Sequence, residues 1–564
     1  MSCSLRCQLP KPATLLAFFL AAAFVPAAFA SGPYIIGSSN TVTADPNIQR
    51  PSTTPCVVQL MTNAEFDNFN PVSFPYTPPA DCPGPWAKVV FTADINVTAG
   101  IQYDRTANFW LGPTVIYFGT TSEPSPNLGP SWHVETDLTD YSPIFMTAQQ
   151  GTADIGNLVN TTYTGIIYAS SALEFYPLAQ GQTAPVTSNE VLALSAGSTG
   201  GTVGLTGTTS TLAGTFTLPT NIQNAYLDVY SQSQNDDEFW YTCVPNDVSS
   251  ELESCGNTGF RETEITIDGT PAGVAPVYPW IFTGGIDPWL WFPIPGVQTM
   301  NFVPYRVDLT PFAATLSNGQ QHTVSLSVFN ADNYFSATAS LLLYLDSGST
   351  SVTGGLLANS LAAAPTPVVK ENLNVTSSSI TGGVSVSSDR NYKIAGYVNT
   401  SHGKVTTTVA DRVTFANNQV FDISDTGYVQ NINVTTGVAS TTTVAASGQP
   451  TVITTKNLTF PLTLDINEFV LSNGGINQAT KVRQTYSVQQ LTQQNGVTTS
   501  AGSVTNNAQR QDTLEFNSSG NLIGTTNQSA SQTYSETNSP GVNYFCAIAA
   551  AKNALTSFSP SCSE

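Results

Sequence analysis

Residues 100–112, G-I-Q-Y-D-R-T-A-N-F-W-L-G, place Asp104 and Arg105 between two large anchors, Tyr103 and Trp110. Only 10% of the chain is charged, so a carboxylate beside a guanidinium in an aromatic, strand-like segment needs a reason. A carboxylate so placed can activate water as a general base. A second group of carboxylates runs directly into aromatics: Asp236-Asp237-Glu238-Phe239-Trp240-Tyr241. Asp236 and Asp237 read as a solvated loop; Glu238, next to the aromatics, reads as a site residue. A third stretch carries Trp280, Asp287, Trp289 and Trp291, three of the chain's seven tryptophans, among turn residues. Exposed indoles hold sugar rings, whereas buried ones fill cores, and both readings stay open for Trp240 and for this loop. Paired carboxylates among aromatics suit hydrolysis at a carbohydrate, glycosidic cleavage included. The plainer reading of Asp104 and Arg105 is a surface ion pair.

Around these residues a longer pattern appears in order. It runs Y-D-R-T-A-N-F-W-L-G (103–112), S-E-P-S-P-N (122–127), I-G-N-L-V-N-T-T-Y-T-G (155–165) and N-D-D-E-F-W-Y (235–241). It continues through G-F-R-E-T-E-I-T-I-D-G (259–269), P-W-I-F-T-G-G-I-D-P-W-L-W (279–291) and Y-R-V-D-L-T-P-F (305–312). This series resembles the secreted peptide:N-glycanases of the A type over residues 55–350, and more distantly the F-type enzymes that share D-R-x-A-N. The resemblance implies an amidase that hydrolyses the bond between an asparagine side-chain amide and N-acetylglucosamine, acting on N-glycosylated peptides and glycoproteins. It implies Asp104 as the essential carboxylate and Glu238 as a contact to sugar or water, with Glu262 and Glu264 as fallbacks. Arg105, Trp110, Asn157, Trp240, Arg261, Trp289 and Trp291 are the expected substrate-binding residues. A non-catalytic glycan-binding lectin or adhesin is the other class the composition allows. Product chemistry separates the three: an amidase turns the glycosylated asparagine into aspartate, a glycosidase leaves sugar on it, and a lectin yields nothing.

Other chemistries find no support. His133, His322 and His402 lack metal-ligand spacing, and there is neither a nucleophile-elbow serine motif nor a phosphate loop, so no metal and no cofactor is expected. The formal charge of −21 excludes a general nucleic-acid binder. Arg6, Lys11, an apolar run over 14–25 and the small-x-small Ala28-Phe29-Ala30 read as a signal peptide over 1–30, cleaved near Ala30 for secretion. The apolar run is too short to span a membrane. Cleavage leaves 15 basic and 38 acidic side chains. Such a chain sheds self-repulsion as carboxylates protonate, which suits an acidic medium. Six cysteines remain, and an exported even set reads as disulfides, paired by proximity as Cys56–Cys82, Cys243–Cys255 and Cys546–Cys562.

The elements that must position these groups are strands. Short alternating segments recur between Gly and Pro turns, and no long run repeats at helical spacing, so the chain reads as all-β. The expected order is an extended arm over 31–54, sandwiches over 55–185 and 186–348, and a Gly/Ser/Thr linker over 349–366. A β-rich accessory domain over 367–545 and a disulfide-closed tail over 546–564 follow. The family resemblance implies that the two sandwiches are adjacent jelly rolls with the active cleft between them. Within residues 100–112 strict alternation sends Tyr103 and Arg105 to one face and Gln102 and Asp104 to the other. Residues 547–554 read as a short helix.

Overall fold

A computed structural model of the chain describes residues 34–539 and 541–563. The signal peptide read over 1–30 lies outside the described residues. The fold is almost entirely antiparallel β. Its described α-helix is one turn, Ala313–Leu316, accompanied by short 3-10 segments.

The first pair of sheets follows from period-two burial. Trp86–Val97 buries Val89, Phe91, Ala93, Ile95 and Val97, and it lies between Ile167–Pro177 and Ser131–Asp137, with Cys56–Phe66 on the far edge. The second sheet orders Val72–Tyr76, Gln149–Ile155, Thr106–Leu111 and Thr114–Thr120. Both sheets feed one core in which Phe91, Phe109 and Tyr117 stack or meet edge-on, with ring centroids 5.2–5.8 Å apart.

The next pair sets Ile222–Gln234 between Tyr334–Leu345 and Tyr305–Asp308. Opposite lie Leu212–Thr217, Gln321–Phe329, Glu262–Ile267 and Thr270–Pro276. Asp268 and Gly269, both at positive φ, make the tight turn between the last two partners in sequence.

The remainder is a single sheet of 12 strands from Thr353–Asn359 to Ala554–Phe558. Ser379–Thr400 and Gly403–Ser424 are each 22 residues long. In the first, Val384, Val386, Ser388, Arg390, Tyr392 and Ile394 are buried while Ser387, Asp389, Asn391 and Lys393 are exposed. One face therefore packs and the other meets solvent. The buried face joins the core of the second sandwich without a break, since Phe415, Val438 and Leu458 share a cluster with Leu227 and Ile265. From Tyr34 onward the chain forms one compact unit.

Several expectations need correction. The 349–366 stretch is no free linker: Thr353–Asn359 is a strand antiparallel to Ser379–Thr400. Residues 547–554 form no helix. They belong to Val542–Ala551 and the turn after it, because Cys546, Ile548 and Ala550 alternate into the core. Lys552 and Asn553, both at positive φ, then close a hairpin onto Ala554–Phe558. Alanine-rich composition yields here to period-two burial. Disulfides Cys243–Cys255 and Cys546–Cys562 are present. Cys56 and Cys82 are free thiols. The Cys82 Sγ turns 3.6 Å from the Phe175 carbonyl, and burial together with Cys56 nearby pushes that thiol up to about 11. The arm at 34–54 is extended and docked: the Val42 N–H donates to the Pro293 carbonyl at 2.9 Å and the Ala44 N–H to the Gln532 side chain at 2.9 Å.

Candidate active site

Residues 101–105 are not in a strand; the strand begins at Thr106. The expected alternation therefore fails here. Gln102 and Arg105 are both buried and meet directly, Arg105 Nη2 donating to Gln102 Oε1 at 2.6 Å. Arg105 Nη1 donates to the backbone carbonyls of Tyr103 (3.1 Å) and Asp104 (2.8 Å), and the guanidinium lies over the Tyr103 ring. Arg105 thus folds the chain back on itself and holds it. It makes no ion pair with the Asp104 carboxylate.

Asp104 is half-buried. Its Oδ2 accepts the Gly284 N–H at 2.8 Å, and its own N–H donates to Glu123 Oε2 at 3.1 Å. The Glu123 N–H in turn donates to Thr283 Oγ1 at 2.8 Å, and that hydroxyl donates to the Thr121 carbonyl at 2.8 Å. The segments after Thr114–Thr120 and before Asp287 are therefore laced together around two carboxylates. Gly284 is what admits them: a Cβ there would land on Glu123 Oε2 and within 3.2 Å of the Asp104 Cγ.

A third carboxylate joins this pair. Glu238 follows the 3-10 turn Asn235–Asp237, and it feels the negative charge of both Asp104 and Glu123. Burial is the largest cause of raised proton affinity at all three carboxyls. It lifts Glu238 to about 8 with help from Asp104 and Glu123, and Glu123 to about 7 with help from Asp104. At Asp104 burial outweighs the lowering by the Gly284 N–H and the Arg105 charge, so its pKa also lies above the ordinary aspartate value. Arg105 itself is pulled down to about 10, burial overriding nearby Tyr103 and Asp104.

The structure brings together Asp104, Arg105 and Glu238, and adds Glu123. The S-E-P-S-P-N motif contained that glutamate, but its neighbourhood, with no charge nearby in sequence, gave no sign of chemistry. The other expected residues stand behind the site. Asn157 is fully buried, its amide donating to the Phe66 carbonyl at 2.9 Å and accepting from Gln102. It braces Gln102, and through it Arg105. Arg261 is buried against Asp237 at 2.9 Å, both side chains fully enclosed. The other Asp237 oxygen accepts the N–H groups of Asp332, Asn333 and Tyr334 at 2.8–3.1 Å. Asp237 is therefore no solvated loop residue but the clamp beside Glu238; Asp236 is exposed. Trp110, Trp240 and Trp291 are buried in the core, Trp240 tilted 5.9 Å from Phe415 and Trp291 Nε1 donating to the Gly285 carbonyl at 2.8 Å. Trp289 is partly exposed. Nearer Asp104, Tyr103 and Tyr163 meet edge-on at 4.9 Å, both partly exposed, with Ile101 and Phe69 exposed. Glu262 and Glu264 face Arg390 at 2.7 and 2.9 Å and belong to a separate buried cluster. Among the described residues, no cluster of metal-ligating side chains occurs.

Two solved structures match the chain at low identity and low TM-score. PNGase F, a glycosylasparaginase from Flavobacterium meningosepticum, is 14% identical with a TM-score of 0.35, matching 52% of this chain and 96% of its own. PNGF-II is 11% identical with a TM-score of 0.35, and the match spans 52% of this chain and 66% of that one, just under two thirds. A curated relative, the peptide-N4-(N-acetyl-beta-glucosaminyl)asparagine amidase A of Prunus dulcis, is 30% identical over 412 residues, 68% of this chain and 70% of its own length. The family model described as peptide N-acetyl-beta-D-glucosaminyl asparaginase amidase A matches residues 44–360, which contain Asp104, Glu123, Glu238 and Gly284, and the chain belongs to that family.

Proposed function

We propose that this protein is an exported amidase that hydrolyses the asparagine–N-acetylglucosamine amide of N-glycosylated peptides and glycoproteins. One observation carries the reading: Asp104, with Oδ2 held by the Gly284 N–H and its own N–H on Glu123, stands with two carboxyls that burial raises to about 7 and 8.

Hydrolysis of an amide needs a base to direct water, and a proton for the departing nitrogen. Asp104 supplies the first. Its raised proton affinity makes it a stronger base than a solvated aspartate. Glu238 supplies the second from across the cluster. The water's oxygen bonds to the amide carbon, the carbon–nitrogen bond breaks, and the nitrogen leaves as the glycosylamine with a proton from Glu238. The peptide retains aspartate, and Asp104 holds the proton taken from water until the site resets. Glu123, through the Asp104 N–H, fixes the base. Tyr103 and Tyr163 offer faces for the sugar adjoining the scissile bond. Export fits the leader read at 1–30 and the two disulfides. No helix among the described residues is long and apolar enough to cross a membrane.

A small glycopeptide followed by mass spectrometry tests this. The expected product is the aspartyl peptide, one mass unit above the asparaginyl form, together with the intact glycan. Asp104→Asn should lower turnover by about a thousandfold at unchanged thermal stability, within the usual range for a lost general base. A product that keeps sugar on asparagine would instead establish a glycosidase.

A further inference from the structure

Residues 279–297 carry Gly284, and with it the N–H that orients Asp104. One side of this segment is tied to the first sandwich through Thr283. The other side rests on three adjacent strands of the C-terminal sheet. Gln484, in Ile476–Gln494, uses both amide atoms: Nε2 donates to the Pro279 carbonyl and Oε1 accepts the Val297 N–H, each at 2.9 Å. Arg510, in Val497–Phe516, donates to the carbonyls of Ile294 (3.1 Å) and Pro295 and lies 5.0 Å over the Trp291 ring. Gln528, in Leu522–Asn538, donates to the Trp289 carbonyl at 2.6 Å. A register shift between Gln511 and Thr513 falls beside it, with Asn527 at positive φ, and such a bulge re-aims a side chain.

Within this bulge stands Asp512, buried to 2% exposure, its carboxyl meeting that of Asp287. Asp287 Oδ1 accepts the Trp289 N–H at 2.8 Å. Asp287 Oδ2 and both Asp512 oxygens are enclosed without any donor among the described residues. Two buried carboxylates cannot satisfy each other; one proton between them can. Arg510, two positions away on the same strand, gives Nε and Nη2 to carbonyls, while its Nη1 has no partner among the described residues.

We propose that the C-terminal sheet is a working part of this site, in which Asp512 and Asp287 share one proton and so hold the 279–297 segment with Gly284 against Asp104. Asp287 lies three residues from Gly284 and caps the 3-10 turn Pro288–Trp291, so separating the two carboxyls would move the donor on which Asp104 depends. Burial, with Asp287 alongside, raises Asp512 to about 8, and Asp287 is raised as well. The shared proton is therefore present in acid and lost as pH rises through that value. Asp512 and Gln528 are positioning residues, not catalytic ones.

This rests on the amidase reading for its kinetic arm only. Hydrogen exchange of the 279–297 peptide in the full chain, corrected for intrinsic rates, should show about tenfold lower protection at pH 9 than at pH 5.5 in the wild type, while strands of the first sandwich stay protected. Asp512→Asn, whose amide donates to Asp287 without a titrating proton, should keep the segment protected at both. The double variant Asp512→Ala/Gln528→Ala should lose at least tenfold in kcat with KM changed less than threefold. Exchange that has the same pH dependence in wild type and Asp512→Asn, or a folded double variant with wild-type kcat, overturns the proposal. If the double variant fails to fold, or the wild type leaves the glycopeptide uncleaved, the exchange comparison still decides.

Discussion

Asp104 and Glu238 were legible because carboxylates beside aromatics stand out in a chain so poor in charge. Glu123 was hidden because its partners are far away in sequence, 19 residues to Asp104 and 160 to Thr283. Burial raises all three carboxyls, and only Glu238 needs the proton for the proposed chemistry. The alkaline limb of the rate should therefore fall through about pH 8, where Glu238 ionises. Replacement by an amide removes that titration. Glu123→Gln should instead shift the limb downward in a kcat/KM profile, because the Glu123 charge is one of the causes that hold Glu238 up, and an unmoved limb would assign it to other groups. The tryptophans illustrate the opposite problem. An indole in a turn-rich stretch reads equally as sugar platform or core, and only the packing of Trp240 on Phe415, 175 positions further along, decides for core.

Elements fared according to how local their causes are. Strand existence followed from period-two burial and was readable almost throughout. Where the chain must leave a strand to place chemistry, at 101–105, alternation placed Arg105 with Tyr103, over whose ring it lies, but away from Gln102, to which it donates. Gly284 is the sharpest case of an element built around a missing side chain. Gly284→Ala should displace the Glu123 carboxylate and cut turnover at least a hundredfold, while lowering thermal stability only modestly as an overpacked contact does. Wild-type turnover in that variant would mean that the two carboxylates can part without consequence. The cysteine couples were read from proximity, which two of the three obey. Because Cys56 and Cys82 are unbridged in the structure, thiol titration of the unfolded, unreduced protein should count two thiols for the described chain; none would mean that the third bridge forms.

Across the whole molecule the C-terminal sheet does not stand apart from the second sandwich. The Thr/Ser/Asn-rich C-terminal half looked separable because no residue in it suggested chemistry. Its buried face instead continues the core, and Arg390 enters from it to face Glu262 and Glu264. The pH dependence of folding belongs to this scale. Glu123, Glu238, Asp512 and Glu264 hold protons up to about 7, 8, 8 and 9. Carboxyls raised in this way contribute stability that is complete below their unfolded value near 4 and is lost as pH climbs through the folded one. His133, raised to about 9 by Asp94 and Glu135 against burial, acts in the same direction. Glu135 opposes it, since Arg50 and His133 lower it to about 2, and its share is lost as pH falls through that value. Melting temperature should therefore be higher at pH 5 than at pH 9; the reverse order would mean that these carboxyls ionise without penalty.

The docked arm bears on how such a molecule can be made. Ala44 is hydrogen-bonded to Gln532 across 488 positions and is walled in by Ala530, Cys546 and Ile548. A nascent chain emerging from its amino end has no partner for that arm until nearly all of it has been synthesised. Earlier strands must meanwhile leave the berth open, which makes this corner the last to close and the first place where a chain cut short during synthesis would be recognisable as unfinished.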